Sequence, residues 1–342
     1  MLHLRINEYL MNITAKTISF LFSVCWAILA TAQPGVKIAD IGAFETTGGD
    51  VIPSCQIGYR TVGQLNSEKS NAILWPTWFT GTSDDLFTSP AMGDLLDTAG
   101  LYIIFVDALA DGISSSPSNT VDFPDVTIRD MVNSQYILVT RHLGLSHLAA
   151  VVGISMGGMQ AFEWAVAYPS FMDKVISIVG TPRQSFYDLL VWQAQIALIE
   201  GAGDNQAKQE EAMKRVVDIS VMNLQTPALL ARTLSPDSLD IYMSRQYVQA
   251  MAPADRLAQL KAMKNHDIYK SANTDPATIK TIITAQMLLV VSVQDHVVNP
   301  FHSVAFSKSF GCKLVELTGD CGHLAPWCEA GKVKKAITAF LK

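Results

Sequence analysis

The protein has 342 residues, of which 25 are Lys or Arg and 31 are Asp or Glu, giving a formal net charge of −6. Hydrophobic residues make up 49% of the chain and charged residues only 16%, which excludes an intrinsically disordered protein and favours a globular protein with a large core. The acidic balance and the lack of a basic stripe in the sequence exclude nucleic acid as a partner.

The first 32 residues have the pattern of a secretory signal peptide. Basic residues precede an apolar run at 18–30, and small residues at 30–32 (ATA) form a cleavage site. The apolar run is shorter than the roughly 20 residues that a membrane-spanning helix needs, so we expect no membrane span in the mature chain. We therefore predict a periplasmic or secreted protein, whose translation starts at Met1 or Met11.

Removal of that segment leaves four of the five cysteines: Cys55, Cys312, Cys321 and Cys328. In an oxidising compartment these can pair in three ways that the sequence does not resolve, and Cys321 with Cys328 gives the shortest loop. A zinc site formed by Cys321, His323 and Cys328 is disfavoured because the spacing matches no standard ligand pattern. We predict neither a metal nor another cofactor.

From residue 36 the chain has two segments of extended character, 36–46 and 51–61, separated by the turn-like stretch TGGD at 47–50, which predicts a β-hairpin. Short, β-rich apolar runs follow. Their hydrophobicity is continuous rather than alternating, which indicates strands covered on both faces, as in a parallel sheet. The predicted strands are 72–75, 101–106, 148–154, 174–179, 287–293 and 313–317.

Helical patterns lie between several of these strands, and the alternation predicts an α/β fold with a mostly parallel central sheet. Between 181 and 285 the pattern is amphipathic and helical, with no clear strand. We therefore predict a core formed by residues 33–182 and 286–342, with residues 183–285 inserted as a helical lid. The predicted helices are 127–143, 157–168, 299–309 and 328–341.

The chemically informative segment is GISMG at 153–157, between a predicted strand and a predicted helix. This G-x-S-x-G pattern in a strand–turn–helix context is typical of a nucleophile elbow, a sharp turn that exposes the serine hydroxyl above the sheet edge. Glycines are needed there because a side chain would collide with the strand or the helix. The helix N-terminus behind Ser155 also favours developing negative charge.

A nucleophilic serine needs a base that accepts its proton and an acid that orients the base. Asp295 follows the predicted strand at 287–293, and His323 follows the last predicted strand. The resulting chain order of Ser, Asp and His is that of α/β-hydrolases. We therefore predict Ser155, Asp295 and His323 as the catalytic residues.

Three other residues compete for the roles of base and acid. Asp320 is a weaker alternative to Asp295, because it lies only three residues before His323. His296 and His302 are interpreted as surface or packing histidines, since neither of them lies in the loop after the last strand.

Acyl transfer also needs donors for the oxyanion, which are normally backbone N–H groups. Met156, directly after the nucleophile, supplies one of them. The second is expected from the loop after the strand at 72–75, with Phe79 as the first choice and Trp78 as the fallback. Trp78 is also a candidate for substrate binding.

Four segments of the chain resemble the homoserine O-acetyltransferase family of α/β-hydrolase-fold enzymes. The resemblance covers most of residues 36–182 and returns more weakly over 258–342. It implies an enzyme in which a serine takes an acyl group and passes it to an alcohol, and the matched positions are Ser155, Asp295 and His323. The segments are YRTVGQLNSEKSNAIL (59–74), SSSPSN (114–119), FPDVTIRDMVNSQ (123–135) and GISMGGMQAFEWAVAYP (153–169).

Two departures from that family concern the substrate. Members that acylate homoserine carry an Asp directly after the catalytic His to hold the amino group, whereas Leu324 stands there in this chain. They also carry an Arg for the substrate carboxylate in the first helix of the insertion, where this chain has Gln195 and Ile196. Arg183 and Arg245 are candidates to replace it. Without both charges, a zwitterionic substrate would leave its charged groups unpaired in a dry pocket.

Export also disfavours acetyl-CoA as the acyl donor, because acetyl-CoA is found in the cytosol. The sequence therefore predicts an exported esterase or O-acyltransferase that acts on a small, mostly uncharged ester through an acyl-Ser155 intermediate. True homoserine acetyl transfer from acetyl-CoA and a non-catalytic binding protein of the same fold are the alternatives. The oligomeric state stays open, with a homodimer as one option.

Overall fold

The computed structural model describes residues 35–248 and 251–342. The predicted signal peptide at 1–32 therefore lies outside the described residues. The strands are β1 (Lys37–Asp40), β2 (Phe44–Glu45), β3 (Val51–Ile52), β4 (Gln56–Gly63), β5 (Ala72–Pro76), β6 (Tyr102–Val106), β7 (Leu148–Ile154), β8 (Met172–Ile178), β9 (Gln286–Ser292) and β10 (Lys313–Leu317).

Eight of these strands form one sheet in the order β1-β4-β6-β5-β7-β8-β9-β10. The strands from β6 to β10 in this order run parallel, whereas β4 is antiparallel to both of its neighbours. The predicted α/β fold with a mostly parallel central sheet is confirmed. The carboxyl ends of β5, β7, β9 and β10 lie at one edge, where open α/β sheets form their sites.

The central strands are apolar on both faces because both faces of the sheet are covered. All five residues of β5 are buried. Leu74 belongs to the core on one face, whereas Ile73 and Trp75 belong to the core on the other. This alternation of side chains explains why the sequence shows a continuous apolar run rather than a two-residue period.

The predicted N-terminal hairpin is present but interrupted. β1 pairs antiparallel with β4 in the main sheet, whereas β2 and β3 form a separate two-stranded ladder. The chain bends at Gly42, which has φ = +79° and accepts a hydrogen bond from the Cys55 amide. Because glycine adopts this conformation at little cost, the extended segment breaks there.

The helices cover both faces of the sheet and the carboxyl edge. They are α1 (Ser83–Thr88), α2 (Pro90–Leu95), α3 (Ile128–Ile137), α4 (Met156–Ala167), α5 (Phe186–Ala202), α6 (Gln206–Leu224), α7 (Pro227–Thr233), α8 (Leu239–Val248), α9 (Pro253–Lys264), α10 (Ile268–Ser271), α11 (Phe301–Phe310), α12 (Ala325–Cys328) and α13 (Ala330–Leu341). A π-helical turn at Leu138–His142 extends α3, so that the two together occupy the helix predicted at 127–143.

Helices α1 and α2 were not predicted. The sequence signal for α1 is a capping box, in which the Thr82 hydroxyl accepts from the Asp85 amide and the Asp85 carboxylate accepts from the Thr82 amide. Six-residue helices carry too few apolar positions to show a helical period, so the cap is the signal that identifies α1.

Helices α5 to α10 lie in the predicted insertion at 183–285. Residues 36–342 form one compact unit, so these helices pack on the sheet region rather than forming a separate body. α5 packs against both α6 and α9. No helix in the described ranges has the length and apolar character needed to cross a membrane.

Candidate active site

Ser155 stands at the corner between β7 and α4. Its backbone has φ = +57° and ψ = −120°, a strained conformation for a residue with a side chain. A Cβ at Gly153 would lie 1.9 Å from the Gly157 carbonyl oxygen, and a Cβ at Gly157 would lie 2.6 Å from the Pro76 carbonyl oxygen. Both glycines are therefore required by the closeness of strand, helix and the neighbouring loop, as the sequence pattern predicts.

Ser155, His323 and Asp295 lie in one hydrogen-bonded row. His323 Nε2 is 2.9 Å from Ser155 Oγ, and His323 Nδ1 is 2.7 Å from Asp295 Oδ2. All three residues are more than nine-tenths buried. With Asp295 accepting from the Nδ1–H group, the lone pair of Nε2 faces the serine hydroxyl, which is the arrangement that general-base catalysis needs.

Asp295 is held by the loop that follows β9. Its Oδ1 accepts from the amides of Val297 and Val298 at 2.8 and 2.9 Å, which leaves Oδ2 for His323. Asn299, the residue after these two valines, donates its amide to Asp188 Oδ1 at 3.0 Å. Asp188 is fully buried in the first turn of α5, and this burial raises the pKa of its carboxyl. Helix α5, which lies in the predicted insertion, therefore holds the loop that carries Asp295.

The loop after β5 closes the opposite side of Ser155. Gln160 Nε2 donates to the Thr77 carbonyl at 3.0 Å, and Gln135 Nε2 donates to Gln160 Oε1 at 2.6 Å. Thr80 has φ = +64°, and its amide donates to Gln259 Oε1 of α9 at 3.0 Å. The buried amide side chains of Gln160 in α4 and Gln259 in α9 thus hold this loop from both ends.

Phe79, one predicted oxyanion donor, lines the same cavity as Ser155, and Met156, the other, directly follows Ser155 in the chain. In the part of the chain that the structure describes, neither backbone N–H group donates to a protein acceptor. Unpaired amides beside a buried serine are the groups that can bind an oxyanion.

A cavity of about 400 Å³ opens onto Ser155 and His323. We call it the Ser155 cavity. Trp78, the candidate for substrate binding, lines it, and so does Arg256 of α9. Sequence reasoning missed Arg256, because no local motif marks an arginine inside an amphipathic helical segment.

Arg183, the other candidate for substrate binding, lies elsewhere. It lines a separate cavity of about 410 Å³, where its Nε is 3.3 Å from His302 Nδ1 and its guanidinium lies over the Tyr269 ring. Arg245, the second candidate for the missing family arginine, is exposed on α8. Neither arginine lines the Ser155 cavity.

The alternative acid and histidines also find other partners. Asp320 pairs with Arg232 of α7, and this ion pair lowers the pKa of its carboxyl. His296 packs edge-on against Tyr187. Asp295 is therefore the carboxylate that reaches the imidazole of His323.

The structure contains one of the disulfides that the sequence allows. Cys321 and Cys328 form a disulfide that spans the loop carrying His323, whereas Cys55 and Cys312 are free. Burial raises the pKa of Cys55 to about 12 and that of Cys312 to about 11, so both remain thiols at neutral pH. Because Cys321 and Cys328 are joined to each other, their sulfurs are not available as zinc ligands.

Comparison with known proteins gives a consistent result. An ethyl acetate hydrolase from Pseudomonas veronii is 39% identical over 172 residues, which are 48% of this chain and 49% of that protein, so the match spans about half of the relative. A homoserine O-acetyltransferase from Methanococcoides burtonii is 28% identical over 354 residues, covering 88% of this chain and 72% of that one. The crystal structure of an acetylester hydrolase from Corynebacterium glutamicum matches with a TM-score of 0.83 and 25% identity, over 91% of this chain and 97% of that one.

The family profile of the α/β-hydrolase fold matches residues 75–330, which include the β7–α4 turn and the whole predicted lid. The predicted resemblance to homoserine O-acetyltransferases is confirmed by relatives and structural neighbours of that kind, and esterases stand beside them. The fold, the elbow geometry and these matches agree. This chain belongs to the α/β-hydrolase fold family.

Proposed function

We propose that this protein hydrolyses short-chain acyl esters outside the cytoplasm through an acyl-Ser155 intermediate. The observation that carries the proposal is the continuous hydrogen-bonded row from Ser155 through His323 to Asp295. The activities for which the relatives are named, ethyl acetate hydrolysis and homoserine O-acetylation, both transfer an acyl group.

In the first half of the reaction, Ser155 Oγ attacks the ester carbonyl carbon while its proton moves to His323 Nε2. The negative charge that develops on the carbonyl oxygen is stabilised by the amides of Phe79 and Met156. His323 then returns the proton to the departing alkoxide, and the alcohol leaves. Asp295 holds the imidazole in the correct tautomer and stabilises the imidazolium.

In the second half, water attacks the acyl carbon and gives a proton to His323. The bond to Ser155 Oγ breaks, the serine recovers that proton, and a carboxylic acid leaves. An alcohol in place of water would give a new ester, so hydrolysis and transfer share every residue named here. The acceptor that enters the cavity decides between them.

True homoserine acetylation is the second candidate, favoured by the similarity to the Methanococcoides burtonii enzyme over most of the chain. Homoserine carries an ammonium group, which in a buried site needs an acidic partner. Leu324 and Trp327 line the Ser155 cavity beside His323, and no Asp or Glu of the described residues lines it. This composition favours ester hydrolysis.

The proposed location rests on the signal pattern at 1–32 and on the Cys321–Cys328 disulfide, since disulfides persist in oxidising compartments. The test is to express the full chain in a bacterial host and to sequence the N-terminus of the periplasmic product. We expect it to begin at Gln33. Recovery of the uncleaved chain in the cytosol would contradict export.

The activity is tested by a screen of short-chain esters, with and without alcohol acceptors, on wild type and Ser155→Ala. A fluorophosphonate probe should label the wild type and not the variant. A folded wild-type protein that never labels would identify a binding protein, and efficient homoserine acetylation from acetyl-CoA would identify a transferase.

A further inference from the structure

Arg256 is a buried cation in the wall of the Ser155 cavity. Only 6% of the residue is exposed. Its Nη2 donates to Ser220 Oγ at 2.7 Å and to Gln195 Oε1 at 3.2 Å, and its guanidinium carbon lies 4.9 Å from the centre of the Phe79 ring. All of these contacts are with uncharged groups.

No carboxylate within residues 35–248 and 251–342 forms an ion pair with Arg256. Its Nε is buried without a hydrogen-bond partner, and its Nη1 donates to none of the described residues. Burial lowers the pKa of the guanidinium to about 10, so the side chain is still cationic at neutral pH. A buried charge is costly unless an opposite charge accompanies it, and the described part of the chain supplies none.

The other described residues of the cavity wall supply no negative charge for Arg256. Apart from the imidazole of His323, Arg256 is the one ionisable side chain among the described residues that line the cavity. The other lining groups are apolar, such as Val191, Trp192 and Leu324, or neutral and polar, such as Asn223. The cavity therefore matches a ligand with a single negative charge.

We propose that the Ser155 cavity selects short esters that carry a carboxylate, and that Arg256 binds this carboxylate. The inference rests on the proposed function, because it names the class of ester. A guanidinium presents planar N–H donors that match a carboxylate. Ser220 and Gln195 hold Nη2, which leaves Nη1 as the donor for the ligand. A volume of about 400 Å³ gives room for a small ester together with its carboxylate.

The kinetic test compares esters that differ only in charge. Acetoxyacetate carries the carboxylate in its alcohol part and is compared with 2-acetoxyacetamide. Monomethyl succinate carries it in its acyl part and is compared with methyl succinamate. In the wild type we expect kcat/KM for at least one carboxylate to exceed that of its amide by about tenfold or more, as expected for hydrogen bonds to a charged group. The pair that shows the preference identifies which half of the ester faces Arg256.

In Arg256→Gln we expect this ratio to fall to near one. Arg215→Gln is the matched control, because Arg215 is an exposed arginine of α6 that pairs with Glu211 and Asp218, and it should leave the ratio unchanged. Arg256→Lys keeps the charge without the planar donors and should retain part of the preference. An equal loss for carboxylate and amide in Arg256→Gln would show that Arg256 only positions Phe79, and would overturn the subsite.

A binding measurement separates this inference from the proposed function. In a Ser155→Ala background, calorimetry should show binding of acetoxyacetate or monomethyl succinate, weakened about tenfold or more by Arg256→Gln. If the wild type bound these esters without hydrolysing them, the proposed esterase activity would be wrong and the carboxylate subsite would stand. The carboxylate subsite would be contradicted if neither ligand bound, or if Arg256→Gln left the affinity unchanged.

Discussion

The β7–α4 turn and helix α9 face the same cavity but are fixed by different means. The turn is set by its own glycines, which let strand and helix approach until no Cβ fits at Gly153 or Gly157. Helix α9 is placed by contacts with residues far away in the chain: Gln259 accepts from the Thr80 amide, and Arg256 lies over Phe79. The turn carries the proposed chemistry and the helix shapes what enters, so changes on the two sides should produce different defects.

Ser155→Ala should have the largest effect. It removes the nucleophile and leaves the strained turn in place, so kcat for a short-chain ester should fall by about 10⁴-fold or more. Thermal unfolding should show a Tm close to that of the wild type. Ser244→Ala, at an exposed serine of α8 whose hydroxyl donates to the Ile241 carbonyl, is the control and should retain full activity. Substantial hydrolysis by Ser155→Ala would show that the β7–α4 turn does not supply the nucleophile.

Gly157→Ala tests whether steric closeness holds the turn. The new Cβ would meet the Pro76 carbonyl at 2.6 Å, which pushes the loop carrying Phe79 away from Ser155. We expect a loss of about 1–3 kcal/mol in the free energy of unfolding and about 10²-fold in kcat. Denaturant unfolding and ester kinetics give the two values.

Gly201→Ala is the matched control for that change. Gly201 lies inside α5, and a Cβ there meets nothing within 4 Å. The substitution should stabilise the protein by up to about 1 kcal/mol through helix propensity. If both glycine variants behaved alike, the crowding at the turn would not be what fixes Ser155.

The Cys321–Cys328 disulfide tests how the histidine loop is held. Replacing both cysteines by serine opens a short loop, which should lower the free energy of unfolding by about 2.5 kcal/mol. The wild type treated with a reductant should show the same shift in denaturant midpoint, whereas the double variant should not respond to it. A reductant that shifts the double variant as much as the wild type would show that the effect lies elsewhere.

Gln259→Ala probes the lid side. It removes the acceptor of the Thr80 amide, and Gln259 Nε2 has no hydrogen-bond partner among the described residues, so we expect a loss of about 1–2 kcal/mol in stability. kcat should fall by about tenfold as the loop loosens, with the chemistry retained. Gln206→Ala, at an exposed glutamine of α6, is the control. A loss of kcat as large as that of Ser155→Ala would show that the β7–α4 turn and helix α9 do not have different roles.

The smallest expected effect concerns pH. Burial lowers the pKa of Arg256 to about 10, so its charge is present below that value and is lost as the pH rises through it. The ratio of kcat/KM for a carboxylate ester to that of its amide, measured as a pH profile, should therefore stay constant through neutral pH and decline towards pH 10. A bound carboxylate favours the cation, so the corresponding decline in kcat should lie at higher pH.

The fold could be read from the sequence to the extent that each element carries its own signal. β5, β7 and β9 are continuous apolar runs because they are covered on both faces, and Thr82 and Asp85 mark α1 only through a cap. The break of the first hairpin was not predicted, because the extended pattern of residues 36–46 shows neither the positive φ that Gly42 adopts nor its hydrogen bond from the Cys55 amide.

The sequence by itself determined the nucleophile turn and the order of the three proposed catalytic residues, because glycine spacing and strand ends are local properties. Only the tertiary structure decided what surrounds them. It brought Asp188 and Arg256 from the predicted insertion to the site and placed Arg183 in another cavity. The physical reason is that the hydrophobic pattern of an amphipathic helix shows which of its faces is buried, but not which residue of that face lines a cavity. Long-range packing therefore decides which side chains surround the proposed substrate.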